Sequence, residues 1–564
     1  MSCCFFRSTG IFLYFCVVLP VYAGGEGATF EGLMQSRIEA LRIDGDRSSI
    51  AAGIAAPRTV AEIYERNDFR PLWIDKDSVR QLMGQITAAR HEGLDPGDYH
   101  HRALRRMEVI PPVSGARRIE RELLLTDAMV RLGYHFRFGK ADPVLLDPNW
   151  NYSRRLNGID PAEQILEAVR SGRVESVLRA QLPDNPFYAG LRDALQRYRS
   201  IMERNGWPVV PEGPALRPGE RDIRTPLLRR RLFVSGDLED ETTVAPELID
   251  DNLESAIRHF QARHGLEVDG IAGRETLQVM NVPASERVDQ IRVNMDRVRW
   301  VFHDVPESYL LVDIAGFRAR LVEDGRIVWE SRAQVGRPFR MTPVFRAEMS
   351  YVVLNPTWTV PPRIFEEDIL PEVRGDVGYL DRNDLRVIDG RGREVDPRKL
   401  DWSRVTPDNF RFLLRQAPGP KNALGRIKFM FPNRHMVYLH DTPSRDLFGR
   451  SRRAFSSGCI RIEKPRDLAE ILLGPDPEWD REGIVREIET GETRTVVLPE
   501  SVPVLLVYYT ADVRDDGAIQ FRRDLYDRDA HVLRVLDSDG TFALPVDAPD
   551  WYRSAARSDA AAER

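Results

Sequence analysis

One cysteine and one histidine have the types and the spacing to carry covalent chemistry. His440 ends the segment Met-Val-Tyr-Leu-His, and Cys459 opens the segment Cys-Ile-Arg-Ile. Alternate side chains of a β-strand share a face, so Tyr438 would accompany His440, and Arg461 would accompany Cys459. If the two strands lie near each other, one surface presents Tyr, His, Cys and Arg above an aliphatic underside.

Such a surface could make a thiol nucleophile. A free thiol has a pKa of about 8.5, so only a few per cent is thiolate at neutral pH. An imidazole can take the proton, and a nearby guanidinium favours the thiolate. Ser456, Ser457 and Gly458 give a small, flexible approach through which backbone N–H groups can point at a developing oxyanion. The alternative stays open that Cys459 is an inert buried hydrophobe beside a satisfied histidine.

The first 23 residues predict an export signal. Arg7 is the only charge before Glu26, the run Ile11–Leu19 is apolar, and Val21–Ala23 has the small-x-small form of a cleavage site. Cleavage after Ala23 would remove three of the four cysteines. The remaining protein would hold one thiol in an oxidising compartment, with no internal disulfide.

Composition and missing motifs exclude several function classes. The chain has 564 residues, of which 42% are hydrophobic and 30% charged, and its net charge is −6. This is a globular composition without the basic footprint of a nucleic-acid-binding protein. No apolar run of 18 residues follows the signal, so no membrane span is expected after it. No C-x-x-C pair, H-E-x-x-H, phosphate loop or G-x-S-x-G elbow is present.

Hydrophobic periodicity predicts a multidomain α+β protein. Helical spacing dominates the first part, a Pro-rich stretch at 207–219 marks a boundary, and alternation with a period of two begins near 306. The predicted segments are a signal peptide at 1–23, a helical domain at 24–204 and a small module at 205–283. A β-rich domain follows at 306–510, with a polar, turn-rich insertion at 371–425. The C-terminal extension at 511–564 is expected to be disordered over its last dozen residues, from Arg553.

The small module and one histidine pair have predictions of their own. Leu253, Ala256, Ile257 and Phe260 form one face of a helix, and the module is too small to be an enzyme, which favours a docking role. The pair at 100–101 has no cysteine or third histidine nearby, so a solvated loop is expected there.

The segment around the histidine and cysteine resembles the signature of YkuD-type L,D-transpeptidases. That signature is a His, a spacer and then [ST]-x-G-C-[IL]-[RN], and Cys459 follows His440 by 19 residues. Most of the family has a second His where this chain has Ser457. The large periplasmic subgroup of Gram-negative bacteria, the YcbB type, is similar to this chain in having Ser there.

Other parts of the chain resemble the same subgroup. The matching segments are Val335–Arg337 with Thr342-Pro343, Asn355–Pro362, Ala417–Gly425 and Tyr438–Pro443. The module at 205–283 resembles a three-helix peptidoglycan-binding domain, and the N-terminal helical part resembles the subgroup's scaffold domain. The insertion at 371–425 resembles its capping subdomain, which could close over substrate.

The resemblance implies an exported enzyme that cross-links peptidoglycan in the periplasm. Cys459 would attack the carbonyl at the L-centre of diaminopimelate in a tetrapeptide stem, release D-Ala and keep a thioester. The side-chain amine of another stem would resolve it as a 3→3 cross-link, with His440 as base.

The same resemblance assigns roles to the remaining candidates. Backbone N–H groups around Gly458-Cys459 would form the oxyanion hole, with Ser457 as a further oxyanion or substrate-binding candidate. Arg461 would hold a carboxylate or support the thiolate, and Tyr438 and Trp358 would line the pocket. The implied partners are peptidoglycan stem peptides and glycan strands, with no nucleic acid, and no cofactor or metal is implied.

Two alternatives stay open at this point. Water could resolve the same thioester, which would make a carboxypeptidase or a cross-link hydrolase, because pocket shape and water exclusion choose the acceptor. A wall-binding scaffold without catalysis is the second alternative. A lipoprotein as acceptor, the oligomeric state and other protein partners are not decided by the residues.

Overall fold

The structure is a computed structural model and describes residues 29–44, 53–152, 154, 156, 158–303, 305–474, 476–514 and 516–538. The predicted signal peptide at 1–23 and the predicted disordered end from Arg553 lie outside the described residues. The described chain is a multidomain α+β protein, as predicted. Within these ranges no helix combines the length and the apolar character that crossing a membrane requires.

The N-terminal part is a helical domain built around one long helix. Its helices are α1 (Phe30–Asp44), α2 (Pro57–Arg66), α3 (Lys76–Ala88), α4 (His101–Val109), α5 (Gly115–Phe138), α6 (Pro143–Leu146), α7 (Pro161–Arg170), α8 (Val174–Arg179) and α9 (Pro186–Glu203). Helix α5 is buried along most of its length and packs against α1, α2, α3 and α8. Its apolar spacing therefore serves the core of this domain.

The expectation of a solvated loop at the histidine pair is wrong for the first of the two. His100 is buried, and its Nε2 lies 2.7 Å from Oδ2 of Asp127. The same carboxylate lies 3.0 Å from Arg131 and accepts from the backbone N–H of Ala55 at 2.8 Å. A carboxylate buried on α5 needs such donors, and this requirement draws His100 inward.

The module at 205–283 has its own hydrophobic core. It contains α10 (Thr225–Ser235), α11 (Asp251–Arg263) and α12 (Arg274–Met280). The four residues predicted as one helix face, Leu253, Ala256, Ile257 and Phe260, are all buried in a cluster separate from the main core. The long helix α13 (Ala284–Val301) follows and packs against α9.

A nine-stranded mixed sheet forms the β-rich domain. Its strands are β1 (Ser308–Asp313), β2 (Arg318–Glu323), β3 (Arg326–Gly336), β4 (Phe345–Leu354), β9 (Ile427–Met430), β10 (Leu439–His440), β11 (Ala454–Ser456), β12 (Ile460–Ile462) and β13 (Arg494–Val507). They run in the order β11-β3-β12-β10-β9-β4-β13-β1-β2, and an extra pairing of β2 with β3 closes the order on itself. Helices α17 (Pro465–Leu473) and α18 (Arg481–Thr490) follow β12.

A smaller sheet with its own core is inserted between β4 and β9. Its strands β5 (Trp358–Thr359), β6 (Leu385–Ile388), β7 (Glu394–Val395) and β8 (Leu413–Gln416) run in the order β5-β8-β6-β7, with helices α14 (Pro362–Ile364), α15 (Leu370–Gly375) and α16 (Gly378–Arg382) between β5 and β6. This unit, residues 358–416, is called the cap below. It begins before residue 371 because Trp358 pairs with Gln416, although the flanking prolines are typical of a loop.

The chain after β13 contacts the helical domain, the small module and the β-rich domain. Strands β14 (Ala511–Val513) and β15 (Ile519–Phe521) form a hairpin that contacts α9 and α11, and α19 (Asp529–Leu536) packs on α13. The hydroxyl of Tyr526 donates to the carbonyl of Gly336 at 2.7 Å and accepts from the N–H of Thr342 at 3.1 Å. The C-terminal extension thus supports the loop between β3 and β4.

Candidate active site

The two short strands at the candidate residues are neighbours, which meets the condition that the sequence analysis left open. Strands β10 and β12 pair in parallel, with Leu439 opposite Ile460 and His440 opposite Arg461. The N–H of Ile460 donates to the carbonyl of Tyr438 at 3.1 Å, which brings Cys459 beside that tyrosine.

The predicted strand extents are too long on both sides. Strand β10 begins at Leu439, and Met436 lies in a turn with a φ of +54° and an exposed side chain. Strand β12 begins at Ile460, so Cys459 stands in the loop just before it. The nucleophile candidate therefore directly precedes a strand, and its backbone is not paired with the neighbouring strand β10.

Six of the seven candidate residues line one cavity of about 790 Å³ between the main sheet and the cap. They are Trp358, Tyr438, His440, Ser457, Cys459 and Arg461. The seventh, Gly458, lies in the same loop and has the backbone conformation that this loop needs, with a φ of +119°.

The Cys459 thiol is protonated at neutral pH in this environment. Burial raises the pKa of Cys459, while hydrogen bonds from the backbone and the hydroxyl of Tyr438 and the charges of Lys428 and Arg461 act in the opposite direction. The sulfur also lies 3.8 Å from the carbonyl of Met436. Because the net effect is upward, the thiol needs a proton acceptor before it can act as a nucleophile.

His440 is a neutral imidazole suited to that task. Burial, followed by the charge of Arg461, lowers the pKa of His440 to about 3. Its Nδ1 lies 2.5 Å from the carbonyl of Asp441, and a carbonyl can only accept, so Nδ1 carries the proton. The neutral ring then leaves Nε2 unprotonated and able to take a proton.

The directions of these two pKa shifts predict how the alkylation rate of Cys459 depends on pH. Its alkylation by iodoacetamide should rise through neutral pH toward a midpoint above the ordinary thiol pKa of about 8.5, since only the thiolate reacts. No inflection should appear near the ordinary imidazole pKa, because His440 stays neutral there. Rates would be followed by mass spectrometry of the peptide that contains Cys459. A midpoint below about pH 7 would show instead a preformed thiolate–imidazolium pair.

The oxyanion expectation needs one correction in detail. The N–H of Gly458 donates to Oγ of Ser456 at 3.1 Å, and the Gly458 carbonyl accepts from Oγ1 of Thr342 at 2.8 Å. Oγ of Ser456 in turn donates to the carbonyl of Cys459 at 2.6 Å. These contacts fix the loop and engage the Gly458 amide, so the Cys459 N–H is the amide of this pair that can meet an oxyanion.

Ser457 is tied to the cap through a residue that the sequence did not indicate. Arg340 is buried, and its Nη1 donates to Oγ of Ser457 at 2.7 Å. Its other donors reach Glu367 at 2.6 Å and Asp368 at 2.8 Å, both in the cap. Charge-assisted bonds of this kind hold geometry well, so Arg340 couples the cap to the loop that carries Cys459.

Two cations at the cavity are free to meet an anion. Among the residues that the structure describes, Arg461 makes one long contact, 3.4 Å from Nη1 to Oε1 of Gln334, and its buried Nε has no hydrogen-bond partner. Lys428, which the sequence analysis missed, places its Nζ 3.9 Å from the centre of the Tyr438 ring. Within the described ranges neither forms a salt bridge, so together they suit a carboxylate ligand.

Residues 307–497 match the family model of the L,D-transpeptidase catalytic domain, known as YkuD. Residues 58–195 match a scaffold domain, and residues 229–280 match a peptidoglycan-binding domain. Among the described residues no group of three His, Cys, Asp or Glu side chains could hold a metal ion.

Two curated proteins are similar to parts of the chain. A protein of Haemophilus influenzae whose name assigns it to the L,D-transpeptidases is 35% identical over 266 residues, which are 46% of this chain and 53% of that protein. The N-acetylmuramoyl-L-alanine amidase CwlM of Mycobacterium tuberculosis is 36% identical over 121 residues, 20% of this chain and 28% of that protein. The chain thus spans about half the length of the first relative and less of the second.

A crystal structure of an L,D-transpeptidase from Xylanimonas cellulosilytica is 15% identical and covers 52% of this chain and 98% of its own, with a TM-score of 0.17. The domain matches, together with the Haemophilus relative, carry the assignment. Residues 307–497 of the chain therefore match the YkuD L,D-transpeptidase catalytic domain, and the preceding residues match a scaffold domain and a peptidoglycan-binding domain.

Proposed function

We propose that this protein forms 3→3 peptidoglycan cross-links through a thioester on Cys459. The observation that supports the proposal is the shared cavity, whose lining combines a protonated thiol, a neutral imidazole and two cations that form no salt bridge within the described residues. This set supplies a nucleophile, a base and an anchor for a carboxylate-bearing peptide. An inert cysteine would need none of these neighbours.

The first half-reaction is acylation of the thiol. His440 Nε2 accepts the thiol proton as the Cys459 sulfur bonds to the carbonyl carbon at the L-centre of diaminopimelate. The oxyanion that forms is met by the Cys459 N–H. When the bond to D-Ala breaks, His440 returns the proton to the leaving amine, and the thioester remains on Cys459.

The second half-reaction transfers the acyl group. The side-chain amine of a second stem attacks the thioester carbonyl and loses its proton to His440, and the thiol then leaves with that proton. Arg461 and Lys428 hold a stem carboxylate, while Trp358 and Tyr438 form the walls that place the peptide. The cap covers the cavity and limits the access of water, which favours the amine as acceptor.

The proposal extends to location and inhibition. The protein would act in the periplasm, which is supported by its matches to domains that act on peptidoglycan and by the export signal expected at 1–23. A carbapenem offers the thiol a strained amide of small size, so it should acylate Cys459 without needing the peptide-binding contacts.

The direct test of the reaction is product analysis. The purified protein would be incubated with disaccharide tetrapeptide, and the products would be identified by mass. A dimer with release of D-Ala supports the transpeptidase. Tripeptide alone would assign the thioester to hydrolysis, and unchanged substrate would favour the wall-binding scaffold.

A further prediction concerns the peptidoglycan-binding module. Because residues 205–283 have their own core, the isolated module should fold and should sediment with purified sacculi. In the full chain this second contact raises the effective concentration of the active site on the polymer. Circular dichroism would establish that the isolated module is folded. A folded module that stays in the supernatant would make it a structural spacer and not a wall-docking domain.

A further inference from the structure

A second large cavity lies where the peptidoglycan-binding module meets the catalytic domain. Its volume is about 780 Å³, and it shares no lining residue with the cavity of Cys459. One wall belongs to the module, at residues 262–268 and 275–282, and a second wall to helix α13. The third wall combines residues 315–318 and 451–453 of the catalytic domain with residues 521–525 of the C-terminal extension.

Four arginines that line this cavity form no salt bridge within the described parts of the chain. They are Arg287, Arg452, Arg453 and Arg522, which come from three distant parts of the sequence. Arg287 and Arg522 are 7% and 9% exposed, respectively. A buried guanidinium without a counter-ion is costly, so this cluster requires an explanation.

The acceptors that these arginines do meet are neutral. Arg522 donates to the carbonyl of Arg263 at 3.0 Å, and Arg453 donates to the carbonyl of Arg450 at 2.7 Å. Arg287 donates to Oε1 of Gln290 at 2.7 Å, and its buried Nε meets no hydrogen-bond partner within the described ranges. Neutral oxygens satisfy single donors but do not compensate the charge, and the nearby carboxylates of Asp512 and Asp313 offset only part of the effect of burial on Arg522.

The pKa values of the buried arginines in this cluster are lowered. Burial and neighbouring arginines lower the pKa values of Arg453 and Arg522 to about 10. Burial does the same for Arg287. Each cation is therefore destabilised where it stands, and a bound anion would reverse this.

The acidic residues of the same cavity are mostly engaged elsewhere. Glu275 pairs with Arg523 at 2.9 Å, Asp289 with Arg292 at 2.9 Å and Asp529 with Arg297 at 2.6 Å. Asp524 accepts a hydrogen bond from the hydroxyl of Tyr508 at 2.7 Å. Glu286 is the fifth acidic residue that lines the cavity. The positive charge of the arginine cluster is thus largely available to a ligand.

We propose that this interdomain cavity is a second binding site, which takes the carboxylates of a peptidoglycan stem peptide. The identity of the ligand rests on the proposed function and on the peptidoglycan-binding module that forms one wall. Arginine forks match carboxylates, and the volume accommodates a short peptide. Residues 451–453 lead through β11 to Cys459, so the occupied site lies on the segment that carries the nucleophile.

The test is a titration of the full chain with disaccharide tetrapeptide after a carbapenem has blocked Cys459. Binding should persist in the blocked protein. Arg452→Glu should weaken it by about tenfold or more, the loss expected for one charge-assisted contact. Arg450→Glu is the matched control, because it reverses an exposed charge on the same loop outside the cavity lining and should leave affinity unchanged.

The outcomes separate this inference from the proposed function. If the blocked protein no longer binds the tetrapeptide, or if the two charge reversals behave alike, the second site is wrong even though cross-linking stands. If carbapenem never acylates wild type but Arg452→Glu still weakens binding relative to Arg450→Glu, the proposed chemistry fails and the second site remains. Arg452 is exposed, and its side chain forms no hydrogen bond in the described parts of the chain, so its replacement should not affect folding.

Discussion

Replacing Cys459 by Ser should abolish both the carbapenem adduct and peptide turnover. A serine hydroxyl is far less acidic than a thiol, and a neutral imidazole such as His440 cannot ionise it fully. Loss of a nucleophile lowers turnover by about 10⁴-fold or more. Intact-mass spectrometry of the carbapenem-treated protein and product analysis with disaccharide tetrapeptide would measure the two effects.

The serine variant keeps the loop intact, which makes it a sharp test. Cys459 is half-buried, and its carbonyl, which accepts from Ser456, is unaffected by the change. A thermal melt close to that of wild type would establish that the fold is preserved. An adduct on the serine variant, or none on wild type, would remove the nucleophile role from Cys459.

Replacing His440 by Ala should lower turnover by about 10²–10⁴-fold, the range for a positioned acid–base group. The loss should appear mainly in kcat, because the cations that hold the peptide, Arg461 and Lys428, remain. Sedimentation with sacculi should stay close to that of wild type. Steady-state product analysis over a range of tetrapeptide concentrations would separate kcat from KM.

His435 provides the comparison for this variant. It lines the same cavity, but its ring packs 4.9 Å from that of Phe345, and Arg434 lies beside it. His435→Ala should therefore lower turnover far less than His440→Ala. If His435→Ala instead lowers turnover far more than His440→Ala, the proton acceptor is His435 and the assignment of His440 fails.

The sequence located the site because its signal is local. Alternation along two short segments was enough to pair His440 with Tyr438 and Cys459 with Arg461, and the ladder between β10 and β12, which covers only the second half of each pair, places the two segments side by side. The extents were overestimated, since an apolar Met436 is typical of a strand although its backbone turns there. Periodicity reports side-chain faces well and strand ends poorly.

Contacts between distant segments had no such local signal. Arg340 reaches Glu367 across 27 positions and Ser457 across 117, and no spacing rule connects them. Lys428 stands in a strand whose face is set by its pairing with β10. The apolar face of α11 was predictable because its signal is also local: the spacing of its apolar residues indicated one helix face, and that face is buried in a cluster separate from the main core.

The central claim is a thioester on Cys459, and it is tested most directly by trapping the protein during turnover. Protein quenched in acid while it consumes disaccharide tetrapeptide should gain the mass of one disaccharide-tripeptide acyl group. The added group should be removed by hydroxylamine and map to the peptide that contains Cys459. Turnover without any such adduct in the quenched protein, or an adduct on another residue, would contradict the account.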